Sequence, residues 1–222
     1  MTGSMATKAR VLPCPQDCPE AIAREVARVV RASGVVAVPT ESFYGLSVVP
    51  TDATAVARVC RTKGDRDHKP ILVLIADRAQ LDGLITGIPP AAQVLMDRFW
   101  PGPLTVIFPA LSSLPAFLTA GTGKVGIRLT AFPFLAALLR RVGPLTGTSA
   151  NRSGQPPFET AQAVRDELGA DVDLILDGGP TPGGLPSTVV DACGPISVVR
   201  EGRVPRAELA VALERAGFQL SG

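Results

Sequence analysis

"GVVAVPTESFYGL", residues 34–46, joins an apolar, β-branched run to a hydroxyl-rich turn. The run 35–39 has the composition of a strand buried on both faces, and Pro39 ends it. Upstream, "PEAIAREVARVVRASG" (19–34) sets Ile22, Val26, Val29 and Val30 at helical spacing and stops at Gly34. Downstream, "TDATAVARVCRTKG" (51–64) opens on Thr51 or Asp52 as an N-cap and ends at Gly64. A second buried strand, "PILVLIA" (70–76), follows. Helix, strand, helix, strand in this order predicts an α/β fold.

The alternation continues to the C-terminus. Helices are predicted over 89–102, 132–143, 160–169 and 206–217. Strands are predicted over 104–108, 125–129, 172–177, 187–192 and 196–201, and 144–150 is predicted as a short strand leading into a turn. Only the short turn at Cys193 splits the last two strands, which argues for a mixed sheet. No repeat, long linker or change of composition divides the chain, so one domain over residues 1–222 is expected. "MTGS" ahead of a second methionine, Met5, reads as an added remnant outside the fold.

Composition narrows the function. Hydrophobic residues make up 46% and charged residues 19%, so disorder is not expected. A net charge of +2 announces no general nucleic-acid surface, and any grip on an anion must be local. Apolar runs fall well short of the roughly 18 residues of a membrane span. With no secretory leader at the N-terminus, a cytoplasmic protein with reduced thiols at Cys14, Cys18, Cys60 and Cys193 is expected. Cys14 and Cys18 have no second Cys or His pair to complete a zinc set, so no protein-held metal is expected.

Several motifs mislead. "GTGKVG" (121–126) matches a dinucleotide fingerprint but precedes a strand instead of following one and opening a helix. The same letters lack the first glycine and the hydroxyl residue of a phosphate-binding P-loop. "NRS" (151–153) is a glycosylation sequon by pattern alone. A Ser-His-Asp hydrolase is disfavoured, because the single histidine, His68, lies in a charged turn.

Ligands of α/β sheets bind outside the carboxyl ends of strands. Those ends carry "PTESFYGL" (39–46), "TSANRSG" (148–154) and "DGGPTPGGLPSTV" (177–189). Their hydroxyls, amides and glycine-exposed backbone N–H groups suit phosphate or sugar oxygens. Arg128 lies within an otherwise apolar strand and Arg200 at the end of another, where a cation is costly unless paired. The turn "TKGDRDHKP" (62–70) adds Lys63, Arg66 and Lys69. Together these cations favour an anionic ligand bearing phosphate and carboxylate.

"GVVAVPTESFYGL", "KGDRDHKPILVLI", "FWPGPLTVIF", "VGIRL", "TSANRSGQPP", "VDLILDGGP", "PSTVVD" and "VVREG" follow one another as in the YrdC-like family, which this chain resembles over about residues 20–205. The resemblance implies a YrdC-like fold, a twisted mixed β-sheet flanked by helices with a concave cleft. It implies the single-domain form, without the family's longer C-terminal extension. It also implies an ATP-dependent nucleotidyltransferase of the threonylcarbamoyl-AMP synthase type. That activity joins L-threonine, bicarbonate and ATP into threonylcarbamoyl-AMP and pyrophosphate, and a separate tRNA-modifying transferase uses the product.

Carried over residue by residue, the resemblance implies that Thr40, Arg128 and Ser187 bind threonine, with Arg128 on its carboxylate. Lys63, Lys69, Thr148, Ser149, Asn151 and Arg200 would bind ATP, and Lys63 and Arg66 would be the catalytic cations. Tyr44 would either line the cleft floor or pack as a core ring with its hydroxyl satisfied. Mg²⁺ would arrive mainly on ATP, with Asp177 or Glu41 as candidates for further help. Double-stranded RNA or tRNA is a further partner the resemblance leaves open, and no membrane is implied.

Many family members read K-x-R-P-x-x-[KN]-P-L where this chain reads "KGDRDHKPI". Lys63, Lys69 and Pro70 keep their places, Asp65 takes the arginine position and Arg66 the proline position. Either Arg66 swings in to substitute for the arginine and Asp65 points out, or the protein handles nucleotide differently. Two other readings remain open from sequence. One is a paralogue that binds nucleotide or double-stranded RNA without this synthesis. The other is a nucleotide or phosphoester hydrolase on the same scaffold.

Overall fold

The computed structural model describes residues 9–15, 17–64 and 69–221. Asp65, Arg66 and His68 lie outside the described residues, as does the catalytic role expected of Arg66. The chain begins with β1 (Arg10–Pro13), α1 (Glu20–Arg31), β2 (Val36–Val38), β3 (Gly45–Ser47), α2 (Ala53–Lys63) and β4 (Val73–Ile75). It continues through α3 (Pro90–Phe99), β5 (Leu104–Pro109), α4 (Ala116–Thr119), β6 (Lys124–Leu129), α5 (Pro133–Val142), β7 (Leu145–Thr146) and β8 (Thr148–Ser149). It closes with α6 (Ala161–Leu168), β9 (Leu174–Asp177), β10 (Thr188–Asp191), β11 (Ser197–Arg200) and α7 (Arg206–Glu214).

The opening stretch folds as its letters dictate. Helix α1 buries Ala23, Val26, Val29 and Val30 on one stripe. Its chain then turns back tightly: a Cβ on Gly34 would lie 2.5 Å from Val29 Cγ1, so only glycine fits there. Strand β2 is buried along its whole length, with Ala37 facing one core layer and Val36 and Val38 the other. Helix α2 is capped by Asp52, whose carboxylate accepts from the Ala55 N–H at 3.0 Å. Gly64, at φ 88°, ends it with N–H bonds to the Cys60 and Arg61 carbonyls.

The mixed α/β architecture expected from the alternation is present, but the strands divide into two sheets. Among the described residues a five-stranded sheet runs β1-β9-β2-β3-β8 and a six-stranded sheet runs β11-β10-β5-β6-β4-β7. Both are mixed. Strands β1, β9 and β2 are parallel while β3 and β8 add antiparallel edges. In the second sheet β10 is parallel to β5 and β6 to β4, and the β5–β6 pairing is antiparallel.

The segment 144–150, read as a short strand leading into a turn, holds a short strand, β7, and a second one, β8, where the turn was expected. Its chain leaves the second sheet after Thr146 and enters the first at Thr148. Gly147 makes the crossing because a Cβ there would sit 2.5 Å from Leu74 Cδ1. Thr146 stitches the sheets together: its N–H donates to Val48 O at 2.9 Å, and its carbonyl accepts from Ser47 Oγ at 2.9 Å. Three elements carried no readable sequence pattern. β1 is half exposed and exists through its pairing with β9, β3 begins on the glycine of an apparent turn, and α4 is a single helical turn.

One core layer packs α2, α3, α6 and α7 against both sheets, and α1 and α5 cover β2, β4 and β9 from the other side. Strands β5, β6 and β10 give Val106, Phe108, Val125, Ile127 and Val190 to the first layer. Their alternate residues therefore point away from it.

Candidate active site

Those alternate residues floor a cleft of about 1590 Å³. Asp191, Ile107 and Gly126 form one row across β10, β5 and β6. The absence of a side chain at Gly126 opens the floor there, since even a Cβ would press on Thr105 at 3.1 Å. The side walls come from the end of α2, the β3–β8 edge and the loop after β9.

On one wall stands Lys63, in the last turn of α2. Its Nζ donates to Ser149 O at 2.8 Å and Asn151 Oδ1 at 2.6 Å, and reaches Ser149 Oγ at 3.3 Å. The loop that supplies these acceptors is pinned to the same helix end, with the Ser153 N–H on the Lys63 carbonyl. Burial, then the like charge of Lys69, pushes the Lys63 pKa down to about 8. Lys69 and Thr148 line the same wall. The wall thus combines cations, hydroxyls and an amide, a donor set for phosphate oxygens.

Arg128 rises from β6 and is nine-tenths buried. Its Nη1 pairs with Glu41 Oε1 at 2.6 Å, while its Nε and Glu41 Oε2 have no hydrogen-bond partner among the described residues. Burial, opposed by Glu41, lowers its pKa from the ordinary arginine value, and it stays a cation. A buried guanidinium with a spare donor is the anchor a carboxylate ligand needs. Thr40, Ser187 and Arg200 line the cleft with it. Thr40 Oγ1 organises its own turn, accepting from the Ser42 N–H and donating to Phe43 O at 2.7 Å. Arg200 donates to the Ser187 carbonyl at 2.9 Å, so a residue assigned to the nucleotide sits against one assigned to threonine.

Every described residue that the resemblance assigned to threonine or ATP therefore lines this one cleft, while Glu41 and Asp177 do not. Tyr44 follows the second expectation, a core ring with its hydroxyl satisfied. Its ring is fully buried at the cleft wall, and its hydroxyl donates to Gly179 O and accepts from the Gly178 N–H. Burial pushes its pKa up to about 12. Of the candidates for metal help, Glu41 is committed to Arg128, and Asp177 is exposed and accepts from the Gly179 N–H. Sequence reasoning missed Thr105, whose Oγ1 lies 2.9 Å from Ser187 Oγ, and the Lys124–Asp191 pair at 2.7 Å, both on the cleft floor. Lys124 was hidden inside the misleading "GTGKVG".

A family model for the Sua5/YciO/YrdC group, described as "Telomere recombination", matches residues 28–202. The chain belongs to the Sua5/YciO/YrdC family. A Bacillus subtilis relative named threonylcarbamoyl-AMP synthase is 38% identical over 188 residues, covering 83% of this chain and 54% of the relative. The chain thus spans about half the length of that longer Sua5/YciO/YrdC protein. A Thiobacillus denitrificans relative of the same name is 42% identical over 164 residues, covering 73% of this chain and 86% of the relative. Among solved Sua5/YciO/YrdC structures, Pyrococcus abyssi Sua5 complexed with L-threonine superposes with a TM-score of 0.86 at 32% identity, over 95% of this chain and 62% of that one.

Proposed function

We propose that this chain is a threonylcarbamoyl-AMP synthase, converting L-threonine, bicarbonate and ATP into threonylcarbamoyl-AMP and pyrophosphate. The observation that carries this reading is the cleft's pairing of a phosphate-type wall, Lys63 with Ser149 and Asn151, and a buried carboxylate anchor, Arg128. The synthase name carried by relatives of both lengths, and the threonine bound to the Pyrococcus abyssi protein, support it.

The chemistry suits these residues. The threonine nitrogen attacks the bicarbonate carbon, the C–N bond forms and the C–OH bond breaks. Water leaves with one of the two protons lost from the ammonium, and the other passes to solvent. A carbamate oxygen then attacks the α-phosphorus and pyrophosphate departs. The nucleophile is already an anion, so no strong general base is required at the second step. Charge builds on phosphate oxygens, where Lys63, Lys69, Ser149 and Asn151 stand. Arg128, Thr40 and Ser187 hold the amino acid, and Arg200, against Ser187, lies where the two substrates must meet. The wall's donors suit phosphates, so Mg²⁺ would come on the triphosphate and offset its charge.

No helix among the described residues is long and apolar enough to cross a membrane. We place the protein in the cytoplasm, where its product would feed a tRNA-modifying transferase. The test is incubation with ATP, L-threonine and bicarbonate. Pyrophosphate release should require all three. ATP loss without threonine would instead mark a hydrolase, and nucleotide or RNA binding without turnover a binding paralogue.

A further inference from the structure

The threonine end of the cleft depends on a residue outside its lining. Arg203, three residues after Arg200, reaches across to three backbone carbonyls. Its Nε donates to Leu185 O at 3.0 Å, and its Nη2 donates to Glu41 O at 3.0 Å and Gly183 O at 3.1 Å. Leu185 and Gly183 belong to the glycine-rich loop that leads to Ser187. Gly183 and Gly184 hold φ values of 67° and 85°, a conformation other residues strain to adopt. The same loop meets the first turn again where the Gly183 N–H donates to Ser42 O at 2.8 Å.

Glu41 links this strap to the anchor. Its backbone is held by Arg203, and its side chain makes the 2.6 Å pair with Arg128. Arg128 Nε and Glu41 Oε2 have no other partner among the described residues, so this one contact carries much of what aims the guanidinium. A shift of the Glu41 backbone is therefore transmitted to Arg128 instead of being absorbed by a network. Arg203 itself is exposed and reaches only carbonyls in these bonds, and its like charge repels that of Arg128.

We propose that Arg203 is a positioning residue for substrate carboxylate recognition. By tying the 183–185 loop to Glu41, it sets the orientation of Arg128 toward the amino-acid substrate. The inference rests on the reading of the cleft as a threonine site. Only an arginine fork serves all three carbonyls at once; lysine, a single point donor, serves fewer.

The test compares equilibrium binding of L-threonine and L-threoninol, which lacks the carboxylate, to wild type, Arg203→Ala, Arg203→Lys and Arg128→Met. Wild type should prefer threonine. Arg203→Ala should weaken threonine binding roughly tenfold and leave threoninol nearly unchanged. Arg203→Lys should fall between, Arg128→Met should abolish the preference, and ATP binding should hold in both Arg203 variants. Equal weakening of threonine, threoninol and ATP in the variants, or no change in any, overturns the proposal. The lysine variant keeps the test open if alanine prevents folding. Failure of the wild type to bind threonine would overturn the functional reading first, and this inference with it.

Discussion

Lys63 enters binding with its hydrogen-bonding capacity already spent on Ser149 and Asn151. On the proposed function, phosphates must displace some of these acceptors, and nucleotide binding there would be an exchange. They also favour the ammonium form and raise a pKa that begins at about 8. ATP binding near pH 8 should therefore take up a fraction of a proton. Uptake should fade below about pH 7, where Lys63 is charged in both states. Calorimetry in buffers of different ionisation enthalpy measures it, and Lys63→Met should abolish it. At Arg128, substitution by Met strands the Glu41 carboxylate. A loss of about 3 kcal/mol is expected, the low end for a buried pair because Glu41 keeps some solvent contact. The Arg128→Met/Glu41→Gln double variant should recover most of that stability in urea unfolding without recovering threonine-dependent pyrophosphate release. The residues legible from sequence were those whose type clashed with their surroundings, such as an arginine inside an apolar strand. Arg203 was not legible, because it acts through backbone carbonyls that no side-chain pattern marks.

Strands and helices were legible wherever burial imposed a period. Helices α1, α2, α3, α5, α6 and α7 fall within the segments their apolar spacing and caps marked out, and no end lies more than three residues inside the quoted limits. The split into two sheets was not legible. Strands β7 and β8 are two residues each, and their pairing partners, β4 and β3, are distant in sequence. Close approaches at glycine fix the chain where propensity marks nothing. In "VVREG", Gly202 lies so near the preceding loop that a Cβ would stand 2.3 Å from Pro186 O and 2.6 Å from Ser187 C. Both are backbone atoms with little room to yield. Gly202→Ala should displace Ser187 from Arg200 and cost about 1–3 kcal/mol of stability. Threonine should lose affinity more than ATP, which separate titrations of the two ligands would show.

For the molecule as a whole, a net charge of +2 conceals a site built from cations. Lys63 and Lys69 stand on one wall while Arg128 and Arg200 rise from the six-stranded sheet, so the positive charge faces inward. Capture of the proposed substrates should therefore weaken as salt rises from 50 to 500 mM, by roughly tenfold in ATP affinity, with less effect on threonine at the buried anchor proposed for it. The strand-to-strand crossing at Gly147 has a different consequence, for how the protein comes apart. The Thr146 amide is bonded to Val48 and the Gly147 amide to Leu72, so two adjacent peptide groups are locked into two sheets. Neither sheet can open at this junction without pulling on the other. Heating should therefore give one calorimetric transition whose enthalpy matches the van't Hoff value. In hydrogen exchange the Thr146 and Gly147 amides should be released only by global unfolding, at the same rate as the interior amides of β2 and β4.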